Sequence, residues 1–310
     1  MTSPVVFALL SAAAFAVATV SQHRAARSAE HVGGHGLGLV RRLATSKLWL
    51  LGLVSGAAGL ALHGLALSAG QLVVVQPVLV SGLLFALPLS LLVERKPAMW
   101  REWAWAFAVV VGLSLFLLAA NPAAGAARAD EGALAGTGAA VLLAATGAVA
   151  LSVSIGRRHR AALLGAAAGL SFGVTAALLK QVVGQAALSP LAPLTDWSLY
   201  TLLLVGGAGL VLTQSAYQAG RLAASLPPMT ILDPIAAIAL GALCFGEHLT
   251  AGLLPIAAQL TGFLLMTVGV VRLAALAAED ASAGLSPAAA GDMAGIEVTA
   301  GCSPSIQQRA

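Results

Sequence analysis

Residues 48–68, LWLLGLVSGAAGLALHGLALS, run without a Lys, Arg, Asp or Glu. A helix needs roughly 20 apolar residues to cross the hydrocarbon core of a bilayer, and this stretch is long enough. Eight other segments read the same way: about 4–22, 71–93, 100–120, 134–155, 161–183, 197–219, 222–245 and 251–274. The expected fold class is therefore all-α, a polytopic bundle of about nine transmembrane helices. Of the 310 residues, 59% are hydrophobic and 9% charged, and the mean hydropathy is +0.93. A soluble domain carries roughly 25% charged residues, so lipid must be the solvent for most of this surface.

The sequence pI is about 9.6, yet the positive charge forms no stripe of the kind that grips nucleic acid, and no nucleic-acid partner is expected. It collects in short loops instead. With the N-terminus outside, the cytoplasmic side receives Arg24, Arg27, Arg41, Arg42, Lys47, Arg95, Lys96, Arg101, Arg157, Arg158, Arg160, Arg221 and Arg272, and the outer loops receive Arg128. That asymmetry sets the orientation: N-terminus outside, C-terminus cytoplasmic, in the cell (plasma) membrane. Trp49, Trp100, Trp103 and Trp105 fall at cytoplasmic helix ends and Trp197 at an outer one, as an interface belt requires. The first run has its basic flank after it, the reverse of a signal peptide, and reads as a retained helix. Cys244 and Cys302 fall on opposite sides of the membrane and cannot pair. His31 and His35 lie in a Gly-rich basic loop, a solvated connection rather than a metal site. Residues 276–310, rich in Ala, Gly, Ser and Pro, are expected to form a disordered cytoplasmic tail.

The chain also repeats itself. Residues 150 apart pair as Gly56/Gly206, Ala58/Ala208, Gly59/Gly209, Leu60/Leu210, Leu62/Leu212, Ala69/Ala219, Gly70/Gly220, Leu72/Leu222 and Pro77/Pro227. Phe15-Ala16-Val17 resembles Phe172-Gly173-Val174 at a slightly different offset. Residues 4–120 then form a first repeat of four helices, 134–155 a linking helix, and 161–275 a second repeat. Five helices separate equivalent positions, so the repeats run through the membrane in opposite directions, as in many secondary transporters.

Asp233 is the acid set deepest in a span, within Pro227-Pro228-Met229-Thr230-Ile231-Leu232-Asp233-Pro234. Pro227, Pro228 and Pro234 remove three amide donors and predict a broken helix; Pro77 marks a break in the first repeat. An intramembrane acid is expensive and points to a cation or proton site. Asp followed by Pro is also an N-cap, so capping a half-helix from Pro234 onward is the other reading. Lys180 near the outer end of its span either snorkels to the interface or serves as counter-ion to an anionic substrate or to Asp233. His63 packs at the outer interface or meets substrate. Gln76, Gln214, Tyr217, Gln218 and Thr230 either join helices by hydrogen bonds or line a polar pathway. Glu94 and Glu247 end their helices at opposite faces, as anchors or as gates. Gly165, Gly169 and Gly173, like Gly52 and Gly56, are spaced for close helix packing, within the bundle or across a homodimer. No metal-protease, P-loop or Cys/His pattern is present, so neither an enzyme nor a bound metal is expected, and the sole co-reactant envisaged is a coupling proton or cation.

Gln76-Pro77 with Val93-Glu94-Arg95-Lys96 in the first repeat, and Thr213-Gln214, Pro227-Pro228 and Phe245-Gly246-Glu247 in the second, resemble the EamA-type repeats of the drug/metabolite transporter superfamily. The resemblance covers roughly residues 4–275. Val93-Glu94 stands where that family favours Gly-Glu. The nine-span layout, the basic loop after the first helix, Ala176 to Lys180 and Thr213-Gln214 are similar to NIPA-like magnesium transporters. What the resemblance implies is movement of a small solute or cation by alternating access. A membrane scaffold or assembly partner without transport is the alternative from another class.

Overall fold

The computed structural model describes residues 2–30, 45–82, 84–86, 88–89, 100–120, 125–154, 157–219, 222–248, 250 and 252–283. The loop with His31 and His35, the Glu94-Arg95-Lys96 segment, Arg221 and the tail from 284 lie outside the described residues. Nine α-helices run through them: α1 (Thr2–Glu30), α2 (Lys47–Ala69), α3 (Leu72–Val80), α4 (Trp100–Ala120), α5 (Glu131–Ser154), α6 (Arg157–Ala186), α7 (Trp197–Ala219), α8 (Leu222–Phe245) and α9 (Leu253–Ala283). Seven contain stretches long and apolar enough to span a bilayer: α1, α2, α4, α5, α6, α8 and α9. Of the other two expected spans, α3 is described over nine residues, and α7 runs 23 residues with an apolar stretch at Trp197–Thr213. Among the described residues the fold is all-helical, and the length and composition of its helices make the chain a multi-pass membrane protein.

Helix α6 is the hub. Of its spanning window 67% is buried, against 17–39% for the other six. It packs on α5, α7 and α8, while α1 packs on α2, and α4 on α9. The main core joins Leu67 of α2, Leu72, Val75 and Val78 of α3, Val174, Ala177 and Leu178 of α6, Leu202 and Val205 of α7, and Ala237, Leu240 and Phe245 of α8. On the outside, Leu118, Val153, Leu204 and Leu253 are each more than 70% exposed. A soluble surface would hide such a girdle; a bilayer takes it as solvent.

Glycines set the closest approaches. A methyl group on Gly165 would stand 2.3 Å from the Ser225 carbonyl oxygen, on Gly169 2.5 Å from that of Met229, and on Gly173 2.8 Å from that of Asp233. The small-residue stripe of α6 thus works within the bundle, laid along one backbone face of α8. A methyl on Gly59 of α2 would stand 2.8 Å from the Phe15 ring of α1, and one on Gly209 of α7 2.9 Å from the Phe172 ring of α6. Gly112 of α4 and Gly262 of α9 meet each other: a methyl on either would lie 2.6 Å from the other's carbonyl oxygen. At one end of this α4–α9 seam the Arg272 guanidinium lies over the Trp105 ring, 5.7 Å from its centroid.

The proline positions correct an expectation. Pro227, Pro228 and Pro234 lie inside a continuous α8, and Pro77 lies inside α3; none of the four breaks its helix. A proline removes one amide and leaves the carbonyl four residues back without its helical partner. In a membrane bundle, neighbouring helices and hydroxyl side chains satisfy such groups and the helix continues. Here the Gly165–Gly173 stripe holds the α8 backbone along the proline-bearing stretch.

Candidate functional site

A buried ion pair lies toward one end of the described bundle, where α6, α8 and the start of α3 converge. Leu72 opens α3 directly after Gln71, so its first amides have no intrahelical partner. Gly246 follows α8 with φ +62, the left-handed conformation that glycine adopts without strain. That turn folds the chain back, and the Glu247 amide donates to the Gly241 carbonyl at 3.1 Å. The Glu247 side chain then enters the bundle and is 1% exposed. Its carboxylate accepts the Leu72 amide at 2.9 Å and the Val73 amide at 3.0 Å. A carboxylate at a helix N-terminus also meets the positive end of the helix dipole. The Lys180 ammonium, itself buried, donates to the same carboxylate and lies 4.6 Å from the centre of the Phe245 ring. Two glycines make room: a methyl on Gly241 would stand 2.5 Å from Glu247 Oε2, and one on Gly125 2.7 Å from Glu247 Cγ.

The connection 125–130 closes over this group. The Ala126 amide donates to the Phe245 carbonyl at 2.8 Å, the Asp130 amide to the Cys244 carbonyl at 3.3 Å, and the Ala129 amide to Gln181 Oε1 at 2.8 Å. Asp130 then caps α5 through the Ala133 amide at 2.7 Å. On the far side the Thr250 amide donates to the Ala120 carbonyl at 3.0 Å, and Gln259 Nε2 donates to the Ala119 and Thr250 carbonyls at 3.0 and 3.2 Å.

Lys180 therefore neither snorkels nor pairs with Asp233: its partner is Glu247. Gly173, not Lys180, is the α6 residue beside Asp233, and the two positions are seven residues apart, about 10 Å along a helix. Asp233 sits midway along α8, so there is no helix start at Pro234 for it to cap, and the capping reading falls. Its Oδ1 is buried without a hydrogen-bond partner among the described residues. His63 is buried in α2, which packs on α6; a methyl on its neighbour Gly64 would stand 3.2 Å from Val183 Cγ2, and His63 Nε2 has no hydrogen-bond partner among the described residues. Gln76 is buried in α3, and Thr230 is partly buried in α8, which packs on α3. Thr213 Oγ1 bonds back to the Gly209 carbonyl at 2.9 Å and lies 3.7 Å from Met229 Sδ, tying α7 to α8. Gln214, Tyr217 and Gln218 lie on the last turns of α7, and their side chains are outside the described residues.

No family model matches the chain, and no solved structure matches it. It is 33% identical over 249 residues to the Corynebacterium glutamicum "Uncharacterized protein Cgl0250/cg0304", an alignment that covers 78% of this chain and 84% of that one. With a third of positions shared over most of both sequences, this chain belongs to the same family as that corynebacterial protein.

Proposed function

We propose that this chain is a secondary transporter of the drug/metabolite type, with nine spans in two inverted four-helix repeats, that moves a small solute by alternating access. The observation that carries the reading is a symmetry of packing. Gly59 against Phe15 and Gly209 against Phe172 are the same helix contact made in each half, and the glycines are 150 residues apart. Gly112 and Gly262 are also 150 residues apart and meet each other, as equivalent positions do when they lie on a two-fold axis. Such an axis in the membrane plane lets two halves exchange conformations around a central site. Asp233, with an unpartnered oxygen in mid-helix, is the natural seat of a coupling proton or cation. The same oxygen favours a second reading, a magnesium pathway in which the ion keeps most of its waters.

Metabolite profiling of a strain lacking the gene, followed by uptake of the accumulating or depleted solutes into liposomes holding the purified chain, tests the proposal. Saturable uptake above empty liposomes is expected; uptake of none of them, by protein whose fold is intact, would reject it. Orientation has its own check. Ser189 is exposed between α6 and α7, so Ser189→Cys should react with an impermeant maleimide on intact cells, and a C-terminal fluorescent fusion should glow in the cytoplasm. Labelling of that thiol after lysis alone would reverse the topology.

A further inference from the structure

We infer that Glu247, Lys180 and the first amides of α3 form a latch that holds the outer end of the bundle shut. This rests on the transport reading, which requires that one end open at a time. Lys180 and Glu247 both belong to the second half of the chain, and the amides of Leu72 and Val73 to the first. The carboxylate thus bonds one half to the other, alongside the Thr250–Ala120 and Gln259–Ala119 hydrogen bonds, and a rocking motion that parts α3 from α8 must break it. Capping α3 accounts for the carboxylate but not for a buried ammonium beside it. A buried ion pair is no more stabilising than a well-packed apolar pair, because desolvation offsets the attraction.

What the pair does offer is reversibility at a boundary. It lies where α6 ends, α8 ends and α3 begins, so separation delivers the ammonium, the carboxylate and the two amides to water rather than to lipid. The turn at Gly246, with its positive φ, gives the carboxylate a short tether on which to leave. Beneath it Val75, fully buried one turn into α3, belongs to the core that an opened outer end would expose.

The geometry also sets what can replace the carboxylate. Glutamine at 247 can accept one of the two α3 amides, sets its own NH2 donor against the other, and leaves the Lys180 charge buried without a counter-charge, all of which favours the open state. Exchanging the two charges restores an ion pair but places an ammonium, which accepts nothing, against helix amides and the positive dipole end.

The test uses the full chain on intact cells, with Cys244→Ala and Cys302→Ser to clear the background and Val75→Cys as the reporter. The probe is an impermeant maleimide, and Ser189→Cys gives the reference rate for an open outer site. In the parent, the thiol at position 75 should react far more slowly than that at 189. Glu247→Gln should raise its rate by at least about tenfold, a shift in the open population well within reach of an uncompensated buried charge. Lys180→Glu combined with Glu247→Lys should not restore the slow rate. If Glu247→Gln does not accumulate, Lys180→Gln with Glu247→Gln leaves no buried charge and carries the same expectation. Slow labelling in the latch variants, or a slow rate restored by the charge exchange, overturns the latch. Solute uptake in liposomes is read separately: uptake with unchanged labelling rejects the latch alone, and fast labelling without uptake rejects the transporter and keeps a movable end.

Discussion

Gly169→Leu is expected to prevent the bundle from assembling. The Cβ alone would stand 2.5 Å from the Met229 carbonyl oxygen and 3.0 Å from its Cα. Both are backbone atoms, so no rotamer change relieves the clash, and α6 and α8 must separate. Overpacking a tight contact costs about 1–3 kcal/mol and more where nothing yields; here the flanking contacts at Gly165 and Gly173 would be lost with it, for a total of about 3 kcal/mol or more. Gly207 of α7 is the control, because a methyl there meets nothing within 4 Å. Gly207→Leu should accumulate and melt like the parent in detergent, while Gly169→Leu should fail to accumulate or melt far lower. Equal melting of the two would show that the α6–α8 contact does not hold the bundle.

The second large effect is on transport itself. Asp233→Asn should reduce solute uptake to the level of empty liposomes while leaving thermal stability equal to or above that of the parent. Asn has the size of Asp but carries no titratable charge, and the Oδ1 of Asp233 has no partner to lose. Asp233→Ala should behave alike. A helix cap would lose about 0.5–2 kcal/mol on that change, but Asp233 stands inside α8, remote from its start. Uptake by the Asn variant at the parent rate, at matched protein, would remove Asp233 from the coupling step.

What the sequence disclosed, and what it withheld, follows from the range of the interactions. Apolar length marked the helices, since each run must cover its own span, and the four-residue spacing of Gly165, Gly169 and Gly173 marked a close contact without naming its partner. The prolines misled. Their cost in a helix is known for a backbone in water, and α8 lies against a neighbour and in lipid. The ion pair of Lys180 and Glu247 was invisible because it depends on a reversal at Gly246 and on residues 67 positions apart. The quoted Phe245-Gly246-Glu247 held the turn and the acid, but nothing in the spacing pointed to Lys180 or to the start of α3. Gly112 and Gly262 obeyed the 150-residue offset all along; they passed unnoticed because two glycines among 34 draw no attention until they touch.

The α4–α9 seam bears on how the molecule is made. Helix α4 leaves the ribosome well before α9, yet its close glycine contact is with that last helix. Domains are completed from the N-terminus as synthesis proceeds, but α4 must wait in the bilayer while five further helices are inserted. Its glycine notch and the backbone beside it stay uncovered for that interval. Closure of the seam therefore waits for α9, and a chain stalled or cleaved before α9 would leave an inserted but unfinished bundle, with α4 available to the quality-control proteases of the membrane.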